Sequence, residues 1–417
     1  MAALLQSRAG PWQPAIQLDG QINIVRCCNS PLARSLVLLS TDIAVHVYET
    51  VVNDTSLSFA PVTSFLVGSR TTAAAWSPGS SYDTGEDAGD ECKITIIVAT
   101  DTQELRLLQS FGKKDQPENR LLGRTGIDVN DIAWCMVPGY EQYVAVAGND
   151  GTLQLWDLET ESGEPSHTDI YLETSLLSVS FHVKMPKLLY VIDAAGVSRL
   201  VDWLASMESP SGDAQSTLAL ADPETLAEYT TQGIRATGSG TWQPQDPDLI
   251  GALLGTRWSV WNAGGTESNP SRPVASGELS GTANALGRIP SGGGFRWCST
   301  NPRLFAVFVP ALSAALLAQT GCVTESTGSV KNAFSLQVCD LAFLHNPWGV
   351  DVNSVSPFTG RAIDMETTGS GAAGVHATLP TAYGISDADW TPQRVGAYDV
   401  LLVAVGSQII PVPATAT

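Results

Sequence analysis

The sequence predicts an all-β fold, a single seven-bladed β-propeller that spans residues 1–417 and is closed by a strand near the N-terminus. Three observations lead to this prediction: one complete strand–turn–strand unit, weaker copies of that unit along the chain, and a length of 417 residues. Seven units of about 40 to 45 residues each occupy roughly 280 to 315 residues. The remaining residues are therefore expected in loop insertions and not in a second domain.

The complete unit begins with the β-rich run Tyr143–Ala147 and continues through a tight turn at Asn149-Asp150-Gly151. A turn of this kind needs a residue with φ > 0, which suits glycine or asparagine. A second strand follows at Thr152–Trp156 and ends in Trp156-Asp157. A strand pair that closes on Trp-Asp is typical of a WD40 repeat, so the propeller is predicted to be of the WD40 type.

Six units open with a segment that ends in a bulky aromatic residue and is followed by proline a few residues later. Proline cannot donate a hydrogen bond to a ladder, so it stops the strand. An apolar run after each stop predicts a central strand buried on both faces, and several units then show a third strand. The aromatic residues are Trp76, Trp134, Phe181, Trp242, Trp297 and Trp390, and Trp261 ends the third strand of its unit.

The seventh unit precedes the others, at Ile22–Cys27, Ser35–Leu39 and Ala44–Tyr48. At the other end of the chain, Ile409–Val412 is predicted to be the third strand of the last blade. A propeller has no open sheet edge at the seam when its two ends meet in one sheet. We therefore expect Ala15–Leu18 to add the outer strand of the last blade.

Four segments are predicted to be insertions: 79–91, 205–231, 310–331 and 346–381. The first is acidic and is expected to be a solvated loop, with a site for a basic partner or for calcium as the alternatives. It lacks the spacing of a calcium loop. The second is rich in serine and aspartate, and it contains a short predicted helix capped at Asp222-Pro223.

The composition limits the classes of partner. The formal net charge is −20, from 22 basic and 42 acidic residues, so the chain repels phosphate backbones and no direct contact with nucleic acid is expected. No apolar run approaches the roughly 18 residues of a membrane helix, and no transmembrane segment is predicted. Seven scattered cysteines without a C-x-x-C pair indicate a reduced, intracellular compartment.

Motifs for catalysis and metal binding are scarce. The five histidines have no spacing typical of a zinc site, and the sequence has no G-x-S-x-G elbow and no P-loop. We therefore expect no enzymatic activity, no cofactor, no metal and no small-molecule substrate. A Ser-His-Asp triad assembled from distant loops stays open. A propeller hydrolase would need a carboxylate-lined central channel, which the sequence does not indicate.

Two insertions hold the candidate residues for binding a partner protein. Pro310–Gln319 is apolar and compatible with a helix that places Leu312, Leu316 and Leu317 on one face. This face is expected either to bind a partner or to cover the edge of the propeller itself. Trp348 lies in a predicted loop, where it is either an exposed interface residue or packs back onto its blade.

Four pieces of the sequence resemble the nucleoporin 37 family of small WD40 propellers. They are Ala75–Pro78, Gly251–Asn262, Arg272–Val274 and Phe295–Ala306. Their order and rough spacing are similar to that family along most of the chain. The chain departs from the family by its longer loops at 79–91, 310–331 and 346–381.

The resemblance implies a non-enzymatic scaffold in the nucleus, at the nuclear envelope. Propellers of this family belong to the Y-shaped outer-ring complex of the nuclear pore and dock onto its large nucleoporin, called 120 in fungi and 160 in animals. The alternative is a WD40 adaptor in another assembly, such as a ubiquitin-ligase receptor or a chromatin complex. Such an adaptor shares the fold and the lack of catalytic motifs.

The third blade departs from the usual polar network of a WD40 repeat. Gly123-Arg124 stands where Gly-His is usual, and alanines occupy the strand Tyr143–Ala147. We therefore expect this blade to be held mainly by the packing of Trp156.

Overall fold

The structure is a computed structural model. It describes residues 15–53, 56–83, 92–112, 116–160, 163–209, 211–223, 225–227, 238–255, 257–264, 272–278, 293–309, 335–341 and 385–414. These residues form seven small antiparallel sheets arranged as a seven-bladed β-propeller. The predicted fold class is confirmed.

The blades follow one another along the chain. After β1 (Ile16–Gln17), blade 1 comprises β2 (Ile24–Cys27), β3 (Leu36–Ser40), β4 (Ala44–Asn53) and β5 (Ser56–Leu66). Blade 2 comprises β6 (Thr71–Trp76), β7 (Lys93–Thr100), β8 (Glu104–Phe111) and β9 (Glu118–Arg124). Blade 3 comprises β10 (Val129–Trp134), β11 (Tyr143–Gly148), β12 (Thr152–Asp157) and β13 (Ser166–Tyr171).

Blade 4 comprises β14 (Leu176–Phe181), β15 (Leu188–Asp193), β16 (Ser198–Asp202), the short helix α1 (Trp203–Met207) and β17 (Ser216–Leu220). Blade 5 comprises β18 (Gly238–Trp242), β19 (Leu249–Leu254), β20 (Arg257–Asn262) and β21 (Ala275–Glu278). The described strands of blade 6 are β22 (Gly294–Trp297), β23 (Leu304–Val309) and β24 (Ser335–Asp340). Blade 7 comprises β25 (Ile385–Trp390), β26 (Asp399–Val405) and β27 (Gln408–Ala414), completed by β1.

The ring closes through the N-terminal strand. β1 pairs antiparallel with β27, which places Ile16 opposite Ile409 and Gln17 opposite Gln408. Beyond this pairing, the backbone N–H of Ile22 donates to the carbonyl oxygen of Gly406 over 2.7 Å. The predicted closing strand within Ala15–Leu18 is thereby confirmed.

The sequence pattern missed the outer strands of blades 1 to 5, which are β5, β9, β13, β17 and β21. One face of each is polar and solvated, so no continuous apolar run marks it. As a correction, part of the predicted insertion 205–231 belongs to blade 4, because it contains β17. The predicted start of a helix at Asp222 is confirmed: the N–H of Leu226 donates to the Asp222 carbonyl over 3.0 Å, and residues 225–227 are helical.

The hydrophobic core is divided among the boundaries between neighbouring blades. At the boundary of blades 7 and 1, for example, Val25 and Val37 pack with Leu402. The central strands β3 and β23 are buried along their whole length. Each blade therefore depends on both neighbours for its packing.

The free cysteines Cys27, Cys28, Cys92, Cys135 and Cys298 are buried. Within the described part of the chain, no helix is long and apolar enough to cross a membrane.

Candidate functional site at the inner ring

The repeated aromatic residues end the innermost strands and are all buried. Three of the tryptophans donate their indole N–H to a backbone carbonyl of the preceding blade. The donor and acceptor residues are Trp76 and Arg26 (2.9 Å), Trp297 and Thr241 (3.1 Å), and Trp390 and Arg296 (3.0 Å). The sequence repeat thus marks hydrogen bonds that join one blade to the next.

The other repeated aromatic residues do not form this bond. The indole of Trp134 donates to Glu141 of its own blade over 2.6 Å. The buried indole nitrogen of Trp242 has no hydrogen-bond partner among the described residues, and neither has that of Trp261 on β20, the third strand of blade 5. Phe181 takes the place of tryptophan in blade 4 and packs edge-on against Trp203, with ring centroids 6.4 Å apart.

Polar side chains on the innermost strands form a second set of contacts between blades. Each accepts a hydrogen bond from the backbone N–H of the next blade's innermost strand, so the ladder of one sheet is connected to the next. The acceptors and donors are Asp131 and Val179 (3.1 Å), Ser239 and Phe295 (3.1 Å), Asp387 and Val25 (3.0 Å), and Asp389 and Cys27 (2.8 Å).

Charged side chains concentrate where blades 6, 7 and 1 meet. Asp387 forms ion pairs with Arg26 and, over 3.0 Å, with Arg296. A second nitrogen of Arg296 donates to Ser239 over 3.1 Å, and the guanidinium lies 5.8 Å from the ring centroid of Phe308. These contacts fix the arginines and the carboxylate in one network that reaches across the seam of the ring.

The neighbouring carboxylate on the same strand, Asp389, is partly buried. Burial raises the pKa of Asp389, and the nearby Arg296 and Arg26 only partly oppose this effect. Its two oxygens accept hydrogen bonds from the backbone N–H groups of Cys27 and Trp390. Asp389 is therefore a structural acceptor at the closing seam.

The carboxylates on the innermost strands were not recognised from the sequence, which indicated no carboxylate-lined channel. Asp387 and Asp389 both lie on β25, but each is engaged by arginine or backbone donors. The signal in the sequence is a charged residue one or three positions before the repeated aromatic position. This signal also identifies Arg296 and Asp131.

The Trp-Asp unit of blade 3 has a polar network that its sequence did not predict. The Trp156 indole donates to the side chain of Gln154 over 3.2 Å. Gln154 in turn donates to the carbonyl of Thr125 over 3.0 Å and to Asp169 over 3.1 Å, and the His167 ring stacks on Trp156 at 4.5 Å. The packing of Trp156 is confirmed, but the prediction of a blade held mainly by packing omits these hydrogen bonds.

Packing and turn geometry complete this unit. A Cβ atom added at Gly123 would lie 2.8 Å from the Trp156 ring, so glycine allows the ring to pack on strand β9 of blade 2. In the turn, Gly151 has φ 94°, as predicted, and Asp150 accepts from Thr152 N–H over 2.9 Å. Asp157 accepts from the N–H of Glu159 over 3.0 Å.

Similarity to known proteins is consistent with this geometry. No family model matches the chain. Over 87 residues it is 31% identical to the probable cytosolic iron-sulfur protein assembly protein CIAO1 homolog of Caenorhabditis elegans, a match that covers 21% of this chain and 23% of the relative. The fold is similar to that of Chaetomium thermophilum Raptor, with a TM-score of 0.57 and 12% identity, over all of this chain and 30% of Raptor.

The chain is a seven-bladed β-propeller with WD40-type homology. It spans about a quarter of the length of the curated relative it matches and less than a third of Raptor. None of these matches names a nucleoporin. At 12% identity the likeness to Raptor shows a shared fold alone.

At one end of blades 1 to 4, the described loops are mainly acidic. The turns between the second and third strands, together with the loops that enter blades 1 to 4, expose six carboxylates and one cation, Arg70. None of the six takes part in an ion pair between described residues. They are Asp19, Asp42, Asp101, Asp128, Asp150 and Glu173.

The structure leaves two of the predicted site features open. Leu312, Leu316, Leu317 and Trp348 lie outside the described residues, so their role in binding stays a prediction. Within the described ranges, no group of three or more His, Cys, Asp or Glu side chains is arranged to hold a metal ion.

Proposed function

We propose that this WD40 propeller is a non-enzymatic scaffold subunit that holds a larger protein in an assembly. The observation that supports this proposal is that the carboxylates of its inner ring already bind other groups of the propeller. Asp387 is occupied by Arg26 and Arg296, and Asp389 by two backbone N–H groups. A general acid or base needs access to a substrate proton, and these carboxylates instead connect blades.

We propose further that the assembly is the outer-ring Y complex of the nuclear pore, and that the chain docks onto the large nucleoporin called 120 in fungi and 160 in animals. The support is the resemblance of Gly251–Asn262 and Phe295–Ala306 to the nucleoporin 37 family. These two pieces form adjacent blades. A Cβ atom added at Gly251 would lie 2.1 Å from the Phe295 ring, so the two pieces depend on each other sterically.

The charge of the molecule supports a protein partner over nucleic acid. The formal net charge is −20, and the acidic end faces solvent with six carboxylates against one arginine. A polyanion would be repelled from this end. The proposal therefore includes no direct nucleic-acid partner and no small-molecule substrate.

A second candidate follows from the local match of 31% identity to the CIAO1 homolog. That protein's name places it in the assembly of cytosolic iron-sulfur proteins. A propeller adaptor in such an assembly, or in a ubiquitin-ligase or chromatin complex, uses the same fold without catalysis. The chain covers 23% of the relative, so this candidate stands second.

Affinity purification of the tagged chain from its source cells, followed by mass spectrometry, tests the proposal. We expect outer-ring nucleoporins in near-stoichiometric amounts, together with a nuclear-rim signal for a fluorescent fusion. Recovery of iron-sulfur assembly proteins and a diffuse cytosolic signal would favour the second candidate. Absence of any stable protein partner would remove the scaffold role.

A further inference from the structure

The outer strands of blades 1 and 2, β5 and β9, lie next to each other. The Asn119 side chain on β9 joins them by donating over 2.8 Å to the carbonyl oxygen of Leu66 at the end of β5. Asn119 also accepts from Arg106 over 3.1 Å. Leu66 is 72% exposed and Leu121 is 46% exposed. Leu121 shares the face of Asn119, because side chains two apart on a strand point the same way. We call this surface, formed by Leu66, Arg106, Asn119, Leu121 and Arg124, the blade 1–2 cleft.

The cleft has a local excess of positive charge. Glu104 is the carboxylate shared by two guanidinium groups, since it lies 2.8 Å from Arg106 and 3.8 Å from Arg124. The Arg124 side chain is 77% exposed. In a chain of net charge −20, most of the surface repels an acidic ligand, and this cleft attracts one.

The strand that lines the cleft is also an available sheet edge. β9 is the last strand of its sheet, and its outward backbone groups pair with no described strand. An edge strand presents a row of N–H and C=O groups to an added strand. Two other outer strands are less suitable: β5 contains Pro61, and the end of β13 is covered by Gly212 and Ala214. No proline interrupts β9.

We propose that the blade 1–2 cleft binds an extended acidic segment of a partner protein, added to β9 as a fifth strand of blade 2. Backbone hydrogen bonds to an edge strand supply affinity, and side chains of alternate residues supply specificity. Carboxylates of the segment pair with Arg106 and Arg124, and an apolar side chain covers Leu66 and Leu121. The inference rests on the proposed scaffold role, and it names the chemistry of a partner segment.

The test uses a fluorescein-labelled peptide of about ten residues that alternates glutamate with valine and leucine, a length that spans β9. Binding to the purified full chain is followed by fluorescence anisotropy at low ionic strength. We expect saturable binding that weakens as salt is added. A peptide with lysine in place of glutamate, and a single-stranded DNA oligonucleotide, are expected not to bind. Equal binding of either would overturn the proposal.

Variants locate the site. Arg124→Gln is expected to weaken binding of the acidic peptide about fivefold, as for loss of one exposed ion pair. Leu121→Asp is expected to abolish detectable binding, because it adds a like charge and removes the apolar contact. Arg34→Gln, which removes an exposed arginine elsewhere in blade 1, is the matched control and is expected to bind as the wild type does. Unchanged binding by Arg124→Gln and Leu121→Asp would refute the site.

Two further peptides separate strand addition from simple charge attraction, and each is methylated on one of the two alternate sets of backbone nitrogens. Both keep the charge, but in one of them the methyl groups remove the N–H donors that face β9, so that peptide is expected to lose binding while the other retains it. Unchanged binding by both would overturn strand addition. Failure of the cleft and failure of the scaffold role are distinguishable: if partners co-purify with the wild type while no acidic peptide binds, the cleft is excluded and the scaffold role stands. If the peptide binds and no partner co-purifies, the peptide site stands and the scaffold role is excluded.

Discussion

The indole N–H of Trp390 donates over 3.0 Å to the carbonyl oxygen of Arg296, and this bond ties the innermost strand of blade 7 to that of blade 6. Trp242 occupies the equivalent position in blade 5 and is equally buried, but its indole nitrogen has no partner among the described residues. A comparison of variants at these two positions therefore separates the contribution of packing to stability from that of the hydrogen bond between blades.

Replacing each of these tryptophans by phenylalanine should have unequal effects. Trp390→Phe removes the indole donor of a partly buried hydrogen bond, and its free energy of unfolding is expected to fall by about 0.5 to 1.5 kcal/mol more than that of Trp242→Phe. Urea denaturation of both variants and the wild type measures the difference. Equal losses would show that the inter-blade hydrogen bond contributes nothing measurable.

Trp156 and Gly123 should be energetically coupled. Trp156→Ala alone is expected to lower the free energy of unfolding by about 3 to 5 kcal/mol, since it empties a packed site. Gly123→Ala alone is expected to cost about 1 to 3 kcal/mol, because the added Cβ would lie 2.8 Å from the Trp156 ring. In the double variant the Trp156 ring is absent, so the loss of stability caused by Gly123→Ala should largely disappear. A double-mutant cycle gives the coupling, and simple additivity would contradict the steric account.

Asp389 should make stability depend on pH in a defined direction. Burial raises its folded pKa above the ordinary value of 3.8. A carboxyl group with a raised folded pKa contributes stability below its unfolded pKa and loses that contribution as the pH rises through the folded pKa. Asp389→Asn is neutral throughout, so its stability relative to the wild type should increase as the pH rises above about 4. Urea denaturation at several pH values checks this; a difference that stays constant or falls would contradict it.

The apolar insert at Pro310–Gln319 can be tested on the assembly itself. If Leu312 and Leu316 contact the partner, changing both to aspartate should abolish co-purification with the large outer-ring nucleoporin without lowering the melting temperature. Ser313→Asp, which adds a charge to the same insert, is the control and should retain the partner. A lowered melting temperature would assign this face to the propeller's own edge, and undiminished co-purification would remove the insert from the interface.

The sequence revealed the parts of this fold that repeat. The aromatic residues followed by proline, and the turn before Trp156-Asp157, identified the blades because strand ends and turns depend on local chemistry. The outer strands were missed because their solvated faces interrupt the apolar pattern. β17, for example, has one buried residue in five.

The seam of the ring could not be read from local pattern. Arg26 and Asp387 are 361 residues apart, and the arrangement of blades alone brings them together. The polar network of blade 3 was missed for a different reason. Its acceptor is Gln154 on the same strand as Trp156, and not the histidine that a WD40 repeat usually supplies from a loop.

Ring closure by β1 sets an order of events during synthesis. The side chains of Gln17 and Ser407, which meet at the closing strand, are 390 residues apart. At about 5 to 20 residues per second, translation needs roughly 20 to 80 s to cover that distance. During this time β1 has no strand to pair with, and the blades that have already emerged form an open arc. β1 therefore stays unpaired until β27 has left the ribosome, and its edge is open to wrong pairing throughout that time.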